Sequence, residues 1–512
     1  MIKSRTVNDM KRVGVVGAGT MGRGIAQVAA FHGLSTTLVD LNQEMLDQAM
    51  TLISKSLDQL VQRGKIDEVE KQSVIDRITV STSIKDLRTA DLVVEAIAER
   101  LDLKVNLFAQ LEELVSEACI FASNTSSISI TSIAAGLKTP SRLAGLHFFN
   151  PAPVMKLVEV ISGLATDDSV IDVLMELASS WGKVAVRATS SPGFIVNRVA
   201  RPFYGEGLRL LEEAQLSPAV IDAVVRSAGS FRMGPLELTD LIGQDINYSV
   251  TESVFNAYFQ DPKFTPSQSQ QELVNAGWLG RKSGRGFYDY SAKEQPEPEF
   301  DHIRFGGHFQ IQEVIESEMI AGLVARMRNS QIGIPDLKVG EEGLIRFSLG
   351  AELVITNGQT TLERNAGLDQ PIQVQMDYAL DYVNAEALCI SVHPDLSEEA
   401  WIEVYAFFDF LGIRSRRVKD LPGLLVMRTV VMLINEACDA LHLGVATAKD
   451  IDLAMRYGVN YPLGPFEWAN RIGVKRVAEC IERLSRFYPN GRYRMSPALK
   501  AQAMIDLPFD IE

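Results

Sequence analysis

The stretch "GLHFFNPAPVMKLVEV" (Gly145–Val160) sets an imidazole, His147, and a carboxylate, Glu159, twelve residues apart. An imidazole exchanges its proton near neutrality. A carboxylate on its second ring nitrogen fixes the tautomer and stabilises the charged form. Such a pair is a general base able to take a hydroxyl proton. Upstream, "ASNTSSISI" carries the hydroxyls of Ser126 and Ser127, which could bond a substrate oxygen and are equally suited to a turn or a helix cap. The alternative for His147 is a core histidine with a satisfied ring, so its placement in the fold decides its meaning.

The elements that would position these groups begin near the start of the chain. "RVGVVGAGTMGRGIAQVAAFHG" reads as a short buried strand (Val13 to Val16), a glycine turn and a helix. Gly17 allows the tight turn, Gly19 lets a pyrophosphate approach the backbone, and Gly22 lets helix pack on strand. Thr20 and Met21 stand at the opening of the helix, whose N–H groups suit phosphate oxygens. The next strand, "STTLVD", ends in Asp40, eighteen residues after Gly22, where a carboxylate binds a ribose 2′-hydroxyl and repels a 2′-phosphate. The expected cofactor is therefore NAD rather than FAD or NADP. Further strand-like runs, "ADLVVEAIAERLDLK", "CIFASNTSSISI" and "RLAGLHFFNP", alternate with helical segments and predict a parallel doubly wound sheet. Ligands of such sheets lie at the carboxyl ends of the strands. The turns carrying Glu99, Ser126 and His147 are expected at those ends.

The second half repeats part of the first. A shift of 230 residues lays "SPGFIVNRV" on "LPGLLVMRT" and "MGPLELTDLIG" on "LGPFEWANRIG". Across 191–243 against 421–473, 14 of 53 positions are identical, which chance does not supply. Caps and Pro/Gly turns in both copies predict helical bundles. Asn197 of the first copy is Met427 in the second, so one copy is expected to be active and the other a scaffold. "SAKEQPEPEF" reads as a linker. The region from about Phe300 to Lys419 alternates strand and helix without the glycine motif, and Gly412 falls opposite Gly182. The domains expected are 1–190 (nucleotide-binding), 191–292 (helical), 300–419 (degenerate α/β) and 420–512 (second helical copy). The fold class is an α/β Rossmann-type NAD-binding domain with all-α helical domains and a second, degenerate α/β domain.

A net charge of −15 argues against nucleic acid or an anionic membrane as a partner. The first ten residues lack the apolar core of a signal peptide, and no apolar run approaches a membrane span. Cys119, Cys389, Cys438 and Cys480 have no metal-binding spacing, so a cytoplasmic protein without a metal is expected.

"VGVVGAGTMGRGIA", "LVVEAIAE", "ASNTSSISIT", "AGLHFFNPAPVMKLVEV" and "PGFIVNRV…MGPLELTDLIG" together resemble the 3-hydroxyacyl-CoA dehydrogenase family. The resemblance is dense from residue 12 to about 290 and reaches the C-terminus through the repeat. It implies NAD-dependent oxidation of a (3S)-3-hydroxyacyl-CoA to the 3-oxoacyl-CoA, with His147 as general base and Glu159 as its partner. It further implies that Ser126 and Asn197 hold the C3 oxygen and the surroundings of the histidine. Glu99, Lys104, Asn150 and Lys282 would touch NAD, while Ser56 and Arg63 would touch coenzyme A. Arg63 stands where the family has a lysine, with Lys65 nearby. The long, duplicated form resembles the branch of the family acting on 3-hydroxyadipyl-CoA in phenylacetate degradation, with 3-hydroxybutyryl-CoA as the alternative substrate. An adipyl carboxylate would need a cation, for which Arg201 and Arg232 are the guesses. A hydroxyacid dehydrogenase of another kind would share the glycine motif but not "HFFNP…VEV". A non-catalytic NAD-binding scaffold would bind the cofactor without turnover. A monomer or a homodimer is expected.

Overall fold

The computed structural model describes residues 6–302, 307–367 and 371–511. The chain divides into two compact units. One holds the residues up to Arg198 together with Leu443–Val459, and the other holds Val199–His442 and the chain from Asn460 onward.

The first unit is built on eight strands: β1 (Arg12–Val16), β2 (Ser35–Val39), β3 (Ile78–Ser81), β4 (Leu92–Glu95), β5 (Ile120–Ser123), β6 (Leu143–Phe148), β7 (Leu157–Ser162) and β8 (Val184–Thr189). Their order in the sheet is β3-β2-β1-β4-β5-β6-β7-β8. Strands β1 to β6 run parallel, in the order of a dinucleotide-binding fold with its switch point between β1 and β4. Helix α1 (Thr20–Phe31) buries Gly22, Gly24, Ala26, Ala29 and Ala30, small residues that let it lie close to the sheet. A Cβ on Gly24 would stand 3.1 Å from the Ala152 Cβ. Val13, Val15, Leu92, Val94, Ala122, Leu146 and Val158 fill the core beneath it. Burial of each large aliphatic among them contributes roughly 1.5–3 kcal/mol.

The expectation of a wholly parallel sheet fails at its far side. β7 runs antiparallel to β6, and β8 follows β7 in parallel. An apolar run does not state its direction, and the short connection "FNPAPVMK" is a reversal rather than a crossover. The reversal sets His147 directly opposite Glu159 in the β6·β7 register. His147 consequently lies within β6, one residue from its end, rather than in a turn after it. The helix Ala448–Gly458, from the second sequence copy, completes this unit. Its Gly458 approaches Leu157 and Val196 too closely for a side chain, a Cβ there falling 2.6 and 3.0 Å from their methyl groups.

The second unit contains a mixed sheet of seven strands: β9 (Ile311–Glu316), β10 (Leu337–Val339), β11 (Leu344–Phe347), β12 (Ala351–Ile355), β13 (Ile372–Met376), β14 (Ala387–Ser391) and β15 (Arg414–Val418), ordered β10-β9-β11-β12-β13-β14-β15. Shifted by 230 residues, β12 to β15 fall within two residues of the starts of β5 to β8. The pairing directions also repeat: parallel, antiparallel, parallel. The second sheet therefore retains the far side of the first and lacks its glycine-turn portion, which explains the missing fingerprint. Helices from both sequence copies pack in this unit around buried ion pairs. Glu206 accepts from Arg428 Nε at 2.8 Å and from the Tyr493 hydroxyl at 2.9 Å. Lys263 bonds Glu436 at 2.7 Å and also pairs with Asp439. Among the described residues no helix is long and apolar enough to cross a membrane.

Candidate active site

The carboxyl ends of β4, β5 and β6 surround a cleft of about 350 Å³ lined by residues that include Glu99, Lys104, Ser126, His147, Asn150 and Asn197. His147 and Glu159 are the centre of the arrangement. The ring Nδ1 lies 2.7 Å from Glu159 Oε2, with His147 6 % and Glu159 0 % exposed. Nδ1–H donates to the carboxylate, which leaves Nε2 as the basic nitrogen. The second carboxylate oxygen, Oε1, accepts from the backbone N–H of Ile195 at 3.1 Å and of Val196 at 3.0 Å. These groups open the short helix Val196–Val199 that carries Asn197. One buried acid thus orients the base and ties down the segment bearing Asn197. Phe149 and Phe194 pack on the imidazole with ring centroids 4.5 and 5.9 Å away, shielding it from water. Asn124 Oδ1 accepts from the Phe148 N–H at 2.9 Å and fixes the end of β6.

Glu99 lines the same cleft. Its Oε1 accepts from the Thr125 hydroxyl at 2.6 Å, the Ser126 N–H at 2.9 Å and the Ser127 hydroxyl at 3.0 Å, and its Oε2 meets Lys104 at 3.1 Å. Burial works to raise the Glu99 carboxyl, but the Thr125 bond and the Lys104 charge outweigh it and hold Glu99 below the usual range. The Ser126 hydroxyl is 3.4 Å from the same oxygen, and Asn197 Nδ2 reaches the Ser126 carbonyl at 3.4 Å. Ser126 and Asn197 are therefore brought together as expected from sequence. Lys104 lines the same cleft, already paired within the protein. Its ammonium is 1 % exposed and lies 2.6 Å from Glu95 Oε1, so it is largely neutralised within the protein.

The residues at β1–α1 suit a dinucleotide. A Cβ on Gly22 would fall 1.7 Å from the Gly17 carbonyl oxygen, Gly17 has φ +105°, and Gly19 has open space where a side chain would stand. Gly19 caps α1 without a side-chain acceptor, leaving first-turn N–H groups for an anion. Thr20 is exposed and Met21 half-buried beside them. Asp40, just past β2, accepts from the Ala18 N–H at 2.8 Å and from the Asn42 N–H at 3.1 Å, so it braces the glycine turn while remaining part-exposed.

Two expected coenzyme A contacts do not join this cluster. The Ser56 hydroxyl, on the helix Gln43–Gln62, accepts from Gln27 Nε2 at 3.1 Å. Arg63 caps that same helix, exposed, with Lys65 exposed beyond it. Lys282 lies in the second unit, where it pairs with Asp245 at 2.6 Å. Sequence reasoning missed Glu95, Thr125 and Asn124. Glu95 also takes the Ser123 hydroxyl at 2.6 Å and the Ile97 N–H at 2.7 Å. A charged residue closing the apolar run "DLVVE" was the available signal.

The equivalent place in the second unit cannot do this chemistry. The 230-residue shift puts Asp377 at the position of His147 and Cys389 at that of Glu159. Asp377 keeps only the capping task, accepting from the N–H groups of Leu425, Val426 and Met427 at 3.0, 2.8 and 3.1 Å. Burial raises its carboxyl to about 6.

Comparison with known proteins agrees with this geometry. Residues 12–191 match the 3-hydroxyacyl-CoA dehydrogenase NAD-binding domain. Residues 193–290 and 423–506 match the C-terminal domain of the same family. Residues 353–422 match the 3-hydroxybutyryl-CoA dehydrogenase reduced Rossmann-fold domain. The chain is 43% identical over 502 residues to a 3-hydroxyadipyl-CoA dehydrogenase of Escherichia coli K12, covering 98% of this chain and 99% of that one. A crystal structure of a 3-hydroxybutyryl-CoA dehydrogenase from E. coli K12 superposes with a TM-score of 0.88 at 42% identity, covering 97% and 99% of the two chains. A probable 3-hydroxybutyryl-CoA dehydrogenase of Bacillus subtilis is 43% identical over 285 residues, 56% of this chain and 99% of that one. On these grounds the chain belongs to the 3-hydroxyacyl-CoA dehydrogenase family, and NAD is its cofactor.

Proposed function

We propose that this dehydrogenase oxidises the C3 hydroxyl of (3S)-3-hydroxyadipyl-CoA to the 3-oxo thioester. The observation that carries the reaction is the His147–Glu159 bond of 2.7 Å, set in register at the end of the NAD-binding sheet. His147 Nε2 takes the hydroxyl proton as the C3–H bond breaks and the C3–O bond becomes double. Bound NAD would supply the acceptor for the hydride that leaves C3, giving NADH. Glu159 stabilises the imidazolium, and Ser126 and Asn197 orient the oxygen. Gly17, Gly19, Thr20, Met21 and Gly22 would hold the pyrophosphate and Asp40 the adenosine ribose. Glu99, Lys104, Asn150 and Lys282 would frame the nicotinamide end, while Ser56 and Arg63 would meet coenzyme A. We assign domains at 1–190, 191–292, 300–419 and 420–512, a cytoplasmic location, and a monomer or homodimer.

Relatives supply the choice of acyl group. The full-length E. coli relative is named for 3-hydroxyadipyl-CoA, which favours the six-carbon diacid. The E. coli crystal structure, of equal span, is named for 3-hydroxybutyryl-CoA, and that substrate is the second reading. NADH absorbance with each thioester at matched concentration decides between them. A higher kcat/KM on the adipyl thioester is expected, and a preference for the butyryl thioester would reverse the assignment.

Asp40→Ala is expected to weaken NAD binding roughly tenfold, the worth of one hydrogen bond to a charged group. It should also lower the NAD-to-NADP ratio of kcat/KM. An unchanged ratio would show that Asp40 only braces the Ala18 N–H.

A further inference from the structure

The second unit encloses a cavity of about 250 Å³ lined by none of the residues placed in the catalytic cleft. Four cations line it: Arg201, Arg209, Lys263 and Arg492. Three have carboxylate partners. Arg209 pairs with Glu206, Lys263 with Glu436 and Asp439, and Arg492 with Glu213 at 3.4 Å. Arg201 differs. It is 7 % exposed, its Nε–H has no acceptor among the described residues, and its one hydrogen bond given by the structure goes from Nη1 to the Thr251 hydroxyl at 3.0 Å. The guanidinium lies over the Tyr204 ring, 4.7 Å from its centroid. Burial pulls it below the usual arginine range, opposed only by the Tyr204 and Tyr461 phenols. The Tyr461 hydroxyl is itself buried without a partner among the described residues. Glu212, the acid lining the cavity, is exposed and already takes the Ser267 and Ser269 hydroxyls at 2.9 and 2.8 Å.

A buried cation without a counter-ion is costly, because desolvation is not repaid by an attractive partner. The cavity supplies the space for one. Glu206 and Glu213 are shared with Arg428, so Arg201 stands out by having no carboxylate partner among the described residues rather than by a count of charge. A carboxylate, whose two oxygens fit the planar guanidinium fork, supplies such a partner.

We propose that this cavity is a carboxylate-binding site with Arg201 as its anchor. The carboxylate is either the free end of the acyl chain or a separate small carboxylate. The first source rests on the adipyl reading above, and the site itself does not.

Two readouts on the full-length protein separate these cases. Free adipate is titrated into wild type and Arg201→Gln, following thermal unfolding and heat of binding. The adipyl-to-butyryl ratio of kcat/KM is measured for both proteins. Adipate is expected to raise the wild-type Tm and to leave the variant unmoved. The variant without adipate should melt no lower than wild type, since it loses a lone buried charge. A fall in the ratio of roughly 10- to 100-fold, the worth of a charged hydrogen bond, identifies the acyl chain as the source. Loss of the adipate response with an unchanged ratio identifies a separate carboxylate. Wild type that responds to adipate yet turns over neither thioester leaves the site standing and removes the dehydrogenase reading. No adipate response in wild type, together with an unchanged ratio, overturns the proposal. Should Arg201→Gln fail to fold, Arg201→Lys keeps the charge and the stem but loses the fork. A full adipate response in that folded variant, with an unchanged ratio, would also overturn it.

Discussion

His147→Ala is expected to lower kcat by roughly 10²- to 10⁴-fold, the usual worth of a general base. Glu159 engages Nδ1 at 2.7 Å, so Nε2 is the nitrogen left to accept a proton, and the ring borders the cleft between Phe149 and Phe194. Removing the ring leaves Ser126 and Asn197 in place to orient the oxygen but nothing to take its proton. The glycine turn and Asp40 hold together through contacts in which His147 takes no part, so NAD affinity should be unchanged. Steady-state NADH formation at saturating NAD reads the effect.

Glu159→Gln should cost activity, and stability as well in one of its two orientations. An amide presents an acceptor oxygen and a donor NH2 group. If its oxygen faces Nδ1–H, its NH2 group confronts the N–H groups of Ile195 and Val196, which costs about 1–3 kcal/mol and lowers Tm. If its oxygen faces those N–H groups instead, its NH2 group donates to Nδ1 and drives the imidazole into the tautomer with its proton on Nε2, so the base is lost. The imidazolium also loses its counter-charge. By analogy with replacing the acid of a catalytic triad by its amide, kcat should fall by up to roughly 10⁴-fold. A variant that melts lower yet turns over normally would reduce Glu159 to a cap for the following helix. Asp377 shows that this lesser role exists in the molecule: the same buried capping persists there with no histidine to serve.

What the sequence disclosed depended on how local each requirement is. Gly17 and Gly22 were legible because the clashes that demand glycine lie within one turn and its neighbouring strand. The His147–Glu159 pair was legible as a spacing, yet its cause, the reversal from β6 to β7, was not, because apolar runs carry no direction. The ion pair of Lys104 with Glu95, nine residues earlier, was not legible, because it needs β4 and the helix after it packed together. Nor was the bond from Gln27 to the Ser56 hydroxyl, which depends on the packing of two helices. The repeat was legible, and Asn197 against Met427 gave the expectation of one active copy and one scaffold copy. It did not reveal that the helix Ala448–Gly458 of the second copy lies on the first sheet while Pro218–Ser227 of the first copy lies against the second. Helix patterns specify a buried face, not the sheet that covers it.

The central claim is that His147, held by Glu159, removes the C3 hydroxyl proton in an NAD-binding cleft. It is tested most directly by two readings on folded His147→Ala: the Kd for NAD by calorimetry, and kcat with a 3-hydroxyacyl-CoA by NADH absorbance. The account predicts a Kd equal to that of wild type and a kcat at least a hundredfold lower, roughly. Turnover near that of wild type would contradict it.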